Sequence, residues 1–422
     1  MLKSFTLLLS VLFLIPSPAS AFVPAEQRTL FHEAEIAWAV GTISLGKPMD
    51  FRDGQVLAFP TQIVDLLWAP DGTKPRNLML VHDVAKGEKE KPFLQKGDEI
   101  FCPIKLLPEH SYWKDNLPNT RRHSVAGGRR YMFRGKEIPE VRAILDAYLK
   151  AFQSHGRERW TGEVEAVANA LGSTIPVVRE DAVRYFQIYP TLARDFEPAA
   201  LPAVESYLKG DAQAQEKEQL IHALVLAKVP GLEPILQTLA ARQDGTGAAA
   251  LGGLAESGIV PSVEELLTLS NSSSVEVKAF AVFQLARQAG TSAEALKRVV
   301  DLLEDDKTAA AVQTAAVEGL VVSANDAAVV VLGAQLRRGG TNSRIAGDAL
   351  GRIGGPKSAQ ILMVTLKEGK GEAAIAAAMG LGRSTTCAEC HALLVEQHES
   401  HEDQSVRDFI GVLLGVPLEH KH

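Results

Sequence analysis

Ala349-Leu350-Gly351-Arg352-Ile353-Gly354-Gly355-Pro356-Lys357-Ser358 is an apolar helical ending followed by a Gly-Gly-Pro break, and residues 361–366 then continue as Ile-Leu-Met-Val-Thr-Leu. A helix that stops at Gly354, turns, and resumes as a second apolar helix is one helix pair. The same ending recurs along the chain. Leu226-Ala227, Leu254-Ala255, Leu285-Ala286, Leu320-Val321, Ile353-Gly354 and Leu381-Gly382 align, at successive spacings of 28, 31, 35, 33 and 28 residues. Small residues precede several of these landmarks: Gly252-Gly253, Gly319, Gly351 and Gly380. Second apolar segments follow at 263–269, 296–303 and 361–366. Self-similarity at such a period signals a stacked array.

No single pair of this kind can bury its apolar face alone. Neighbours must share one core, and stability is then nearly additive over adjacent pairs. Gly and Ala at the landmarks let helices approach closely, at up to ~1 kcal/mol per interior Gly relative to Ala. Two helices per 28 to 35 residues resemble HEAT-type repeats, on the short side of that family's length, over residues 137–417. The resemblance implies an α-α solenoid from about Glu137 onward, with a long surface of the kind that binds proteins or peptides.

Upstream the pattern changes. Residues 22–136 are expected to form a small β-rich domain, with strands at 36–45, 55–67, 78–85, 99–107 and 130–134. Gly46-Lys47-Pro48, Pro70-Asp71-Gly72, Lys86-Gly87 and Gly127-Gly128 separate them as turns. Trp38, Trp68 and Trp113 suit a compact core. Five strands of this length suit a small antiparallel barrel or sandwich, the OB barrel being one such architecture. The fold class expected is therefore α+β: a barrel or sandwich at 22–136, then a HEAT-like solenoid over 137–422.

Residues 1–21 read as an export signal. Lys3 precedes an apolar run from Phe5 to Ile15, Pro16 and Pro18 end it, and Ala19-Ser20-Ala21 offers small residues for cleavage. The run is shorter than the roughly 20 residues that span a bilayer. A periplasmic or extracellular location is expected, with no membrane span after cleavage. Lys3 is the only charged residue of the signal, so 43 basic and 51 acidic residues remain, a net charge of −8. An acidic balance argues against a nucleic-acid partner. Three cysteines are too few for a disulfide-stapled fold.

Few residues are candidates for chemistry. His32-Glu33-Ala34-Glu35 lacks the second histidine of a helical zinc-protease motif and reads as a solvated segment. His398-Glu399-Ser400-His401 misses the same spacing and reads as an inter-helix loop. Asn271-Ser272-Ser273 matches a glycosylation acceptor but reads as an ordinary turn. Arg121-Arg122-His123, with Arg129, Arg130, Arg134 and Lys136, is the basic cluster of an acidic chain. It reads as a solvated hairpin loop that could also present a site for an anion. Neither a phosphate-binding glycine loop nor Gly-x-Ser-x-Gly is present, so no catalytic residues are named.

Cys387-Ala388-Glu389-Cys390-His391 is the exception. The repeat register places Cys387 and Cys390 where the preceding repeat has Ala359 and Leu362, which makes them core thiols, or partners in a local disulfide. Zinc held by both cysteines and a histidine is a further option. The motif also resembles the haem attachment site of c-type cytochromes. That resemblance implies thioethers at Cys387 and Cys390 and His391 as axial iron ligand, with Met379 or the histidines at 398, 401, 420 and 422 opposite. The function expected is a protein-binding or assembly scaffold without a cofactor; the alternative is an electron carrier bearing haem c.

Overall fold

The computed structural model describes residues 27–51, 55–69, 78–84, 93–108, 120–189, 196, 200–384 and 387–416. The export signal read at 1–21, Trp113, and His420 and His422 lie outside them. The described residues form two compact units, one ending at Ile235 and one beginning at Leu236.

The first unit opens with helix α1 (Leu30–Ile36), then strands β1 (Ala39–Leu45), β2 (Met49–Phe51), β3 (Val56–Trp68), β4 (Leu78–Asp83), β5 (Glu99–Leu106) and β6 (Arg121–Val125). Strand β1 pairs with both β5 and β3, so the sheet closes on itself. Around the barrel the order is β1, β3, β4, β6, β5 and back to β1, while β2 only adds an edge to β3. All pairs are antiparallel except β4 with β6. Five strands with one parallel closure make a Greek-key barrel of the OB type, which resolves the choice between barrel and sandwich. Register shifts in the β1–β3 pairing bend the long β3 so that one strand serves β2, β4 and β1. Ile43, Phe59, Leu80, Ile100 and Ile104 share one face of their strands and fill the interior.

Three expectations for this region are corrected. Residues 130–134 are not a strand: Gly128–Tyr131 is a 3-10 turn, and only Phe133 bridges to Phe101. The missing strand is Arg121–Val125, read from sequence as a solvated loop; closing the barrel buries Arg122 and His123 in it. The His32-Glu33-Ala34-Glu35 segment is likewise no solvated stretch. It lies in α1, capped by Thr29, with His32 and Glu33 buried.

The chain turns helical at Glu137. Helix α2 (Glu137–Gln153) packs on β3 and β5 and pairs with α3 (Gly156–Ala170). Helices α4 (Pro176–Ile188), α5 (Leu201–Lys209) and α6 (Ala214–Leu226) follow, with α4 against α6 and α3 against α5. Helix α7 (Leu232–Ala240) carries the division between units.

The second unit continues with α8 (Gly245–Glu256), α9 (Val263–Leu269), α10 (Val275–Arg287), α11 (Ala293–Glu304), α12 (Ala310–Ser323) and α13 (Asp326–Arg338). It ends with α14 (Thr341–Ile353), α15 (Gly355–Glu368), α16 (Gly371–Arg383), α17 (Ala388–Ser400) and α18 (Gln404–Leu414). Alternate helices touch: α8, α10, α12, α14, α16 and α18 form one layer, and α9, α11, α13, α15 and α17 the other. This is an α-α solenoid sharing one continuous core. Side-chain oxygens start many of the helices, at Asp244, Ser262, Ser274, Ser292, Asn325 and Asp403. The break at Gly354-Gly355 needs φ of 67° and 80°, values that glycine adopts without strain.

The glycines of the landmark layer bring backbones together. A Cβ on Gly351 would lie 2.9 Å from the Gly380 Cα, and one on Gly380 would lie 2.8 Å from Leu362 Cδ2. On the outer side of the same helices, Arg352 grips Glu318 at 2.6 and 2.8 Å and Arg344 grips Glu372 at 2.6 and 2.9 Å. Such exposed pairs contribute little to stability, because water screens them. Their clearer effect is to fix how successive repeats register.

Candidate functional site

The Cys-x-x-Cys-His segment lies at the start of α17. Cys387 is the N-cap residue, half-buried, with no side-chain cap hydrogen bond, and Cys390 sits in the first turn, 2% exposed. Cys390 joins the solenoid core beside Leu393 and Leu394, as its register with buried Leu362 implies. The two sulfurs are bonded to each other as a disulfide. His391 and Glu389 are exposed on the same turn.

Of the residues named as alternative iron ligands, Met379 lies on α16, His398 on α17 and His401 at the C-cap of α17. His398 Nδ1 bonds the Arg407 carbonyl at 3.0 Å. His401 Nε2 bonds the Leu366 carbonyl at 3.0 Å, and its Nδ1 accepts the Asp403 N–H at 3.0 Å. His398 and His401 are not in a loop, as their sequence suggested: His398 is in the last turn of α17 and His401 is its buried C-cap. Met379 lines a surface cavity of about 370 Å³ with Arg344, Ile375, Asp408 and Phe409. Both sulfurs are joined to each other in this structure, so thioethers to a haem would require that bond to open first. Among the described residues no three His, Cys, Asp or Glu side chains are placed to share a metal ion.

Three members of the basic cluster are held by partners within the protein. Arg130 pairs with Asp181 at 2.6 Å and Glu180 at 3.2 Å. Arg129 donates to the Asp83 carbonyl at 2.9 Å, and Arg134 donates to the Phe93 carbonyl at 2.8 Å while lying over the Phe93 ring. Asn271 and Ser272 form the turn between α9 and α10, where Asn271 Oδ1 accepts from Arg298 at 2.7 Å.

A polar network absent from the sequence reading joins α1 to the first helices. Asp181, with no exposed surface, accepts from Leu30 N at 2.7 Å, Tyr131 Oη at 2.6 Å and Arg130 at 2.6 Å. Burial pushes its carboxyl above the usual range, opposed by Tyr131 and Arg130. Tyr148 donates to Glu35 and lies 3.1 Å from the Tyr185 hydroxyl, which in turn reaches Glu163 at 3.3 Å. Arg159 holds the other Glu163 oxygen at 2.7 Å. The His32 Nδ1 accepts the Thr29 N–H at 3.1 Å, so Nε2 carries the ring proton, and burial holds the ring's pKa down at about 4. Asp181, Glu35 and Glu163 each take a donor from another segment, which makes the network a lock between α1, α2, α3 and α4.

The surface between α4 and α6 is more open. Gln187, Gln215, Glu218, Gln219, His222, Ala223 and Leu226 line a groove of about 580 Å³. Gln215, Gln219 and His222 follow one helix face at spacings of four and three, so one face of α6 presents a row of groups that both donate and accept. Leu226, one of the aligned landmarks, is 55% exposed at the end of this row, while Leu224 is buried. A run of polar residues at that spacing was visible in the sequence, but the apolar pattern alone did not separate it from a solvated face.

No protein-family model matches the chain, and neither does any curated protein. Among solved structures, human deoxyhypusine hydroxylase in complex with glycerol aligns at 18% identity and a TM-score of 0.26, covering 61% of this chain and 96% of that one. An engineered protein aligns at 18% identity and 0.31, over 66% and 90% of the two chains. Kap121p bound to Pho4p aligns at 14% identity and 0.34, covering 65% of this chain but 41% of its own. At these scores the likenesses assign neither family nor activity, and the α-α solenoid rests on this chain's own alternate-helix packing.

Proposed function

We propose that this protein is a binding and assembly scaffold whose α4–α6 groove takes an extended segment of a partner protein. The amide row carries the reading. Gln187, Gln215 and Gln219 each offer a donor and an acceptor, the same alternation that a peptide main chain presents. Glu218 favours a Lys or Arg on the bound segment, and exposed Leu226 favours an apolar neighbour. Export belongs to the same proposal, so the partner would be a periplasmic or extracellular protein.

Short random peptides displayed on phage and selected on the full-length protein test the groove. Segments pairing a basic with an apolar residue should be enriched. Gln215→Ala with Gln219→Ala should weaken their binding about tenfold or more, at roughly 1 kcal/mol per lost hydrogen bond. Selected peptides that ignore both this variant and Leu226→Asp would remove the groove from the proposal. A haem Soret band in protein made with the haem-attachment machinery would replace the scaffold with an electron carrier.

A further inference from the structure

A scaffold leaves the Cys387–Cys390 pair without a use. We propose that this bond is an exchangeable disulfide, reduced by the dithiol of a partner protein that attacks the Cys387 sulfur.

The bond is poorly placed to act as a staple. It links residues three apart that the first turn of α17 already holds together. Cross-links restrict the unfolded chain less as the loop they close shortens. Helix α17 is anchored independently, by Cys390, Leu393 and Leu394 in the solenoid core. The third cysteine shows the contrasting case: Cys102 is buried in the barrel and unpaired, and burial pushes its thiol up to about 12.

The two sulfurs differ in access and share a setting that favours thiolates. Cys387 is half-exposed and Cys390 is 2% exposed, so an incoming thiolate meets one sulfur first. Both lie in the N-terminal turn of a thirteen-residue helix, where unpaired N–H groups and the positive end of the helix dipole lower thiol pKa values. His391 is exposed at the next position, and Glu389 is the turn's acidic side chain.

The exchange balances. The partner thiolate bonds to Cys387 Sγ as the bond between the two cysteines breaks, and Cys390 leaves as a thiolate. The partner's second thiolate then attacks its own sulfur in the mixed disulfide, and Cys387 leaves as a thiolate. Two electrons pass to the pair, the partner becomes a disulfide, and the two protons lost by the partner's thiols end on Cys387 and Cys390.

Full-length protein equilibrated in glutathione redox buffers, then alkylated and weighed, should interconvert between bonded and dithiol forms as a single two-electron transition while retaining its helical circular dichroism. Reduced Cys390→Ser should form a mixed disulfide with oxidised glutathione at Cys387 at least tenfold faster than reduced Cys387→Ser forms one at Cys390. A bond that yields only after unfolding would overturn the proposal, as would equal trapping at the two positions. So would thioether-linked haem on both cysteines. The wild-type titration stands even if either variant fails to fold.

Discussion

Tyr131 donates its phenolic hydrogen to Asp181 across 2.6 Å from fifty residues away. The same carboxylate oxygen takes the Leu30 N–H at 2.7 Å, so one buried side chain joins α1, the 3-10 turn and α4. Tyr131→Phe should lower unfolding free energy by about 1.5–3 kcal/mol, the range for a hydrogen bond to a charged group. Asp181→Ala strands three donors at once and should cost about 3 kcal/mol or more. Urea titrations of both variants check the order; a smaller loss at Asp181 than at Tyr131 would make the carboxylate peripheral to the lock.

The landmark glycines give a paired test. Gly351→Ala pushes a methyl against the Gly380 backbone and should cost about 1–3 kcal/mol as overpacking. Gly252→Ala, in α8 with open space around the new carbon, should instead gain up to about 1 kcal/mol. Thermal melts of the two variants should move in opposite directions.

His123 sets a pH dependence with a definite sign. Thr61 Oγ1 donates to the Phe59 carbonyl at 3.0 Å and accepts from Leu80 N at 3.1 Å, so its 3.2 Å contact with His123 Nε2 is a bond donated by the ring. Burial holds this histidine at about 3, against 6.5 when unfolded. Between those values the unfolded chain carries the proton and the folded one does not. The neutral ring's contribution is therefore complete above pH 6.5 and falls by about 1.4 kcal/mol per unit as pH drops toward 3. Against His123→Gln, whose amide can keep the donor to Thr61, the wild type should lose roughly 2–3 kcal/mol between pH 6.5 and 4.5. Parallel stability curves for the two proteins would show that the ring is protonated when folded.

Leu285 and Leu226 occupy the same landmark in sequence but not in space. Leu285→Asp buries an unpaired charge and should cost about 3 kcal/mol or more, whereas Leu226→Asp and Glu264→Gln should be nearly silent in a denaturant titration. Equal losses at all three would place the repeat register elsewhere.

That pair shows where sequence reading reached its limit. Apolar periodicity located the ends of α6, α8, α10, α12, α14 and α16 to within a few residues, because a shared core imposes the pattern locally. It did not say which way the last residues face: at α6 Leu226 turns outward and Leu224 inward. Four of the five barrel strands were legible as β-rich runs. Strand β6 was not, because Arg121, Arg122 and His123 read together as a solvated run, and only closure of the barrel buries Arg122 and His123. The Asp181 network joins residues 30, 131 and 181, and no local spacing announces it. Cys387 and Cys390 were visible as a motif, yet only the helix start distinguishes the accessible sulfur from the enclosed one.

Cys102 turns the barrel into its own timer. It sits at 0% exposure on β5, opposite Gly41 of β1, in a strand pair that must part before a reagent can reach the sulfur. With the other two cysteines bonded, it is the molecule's remaining thiol. The rate at which a small alkylating agent modifies it in native buffer is then the rate, or the equilibrium, of local barrel opening. Since no thiol is present in the repeats when the disulfide is closed, that signal would report the barrel separately from the solenoid, without an introduced label.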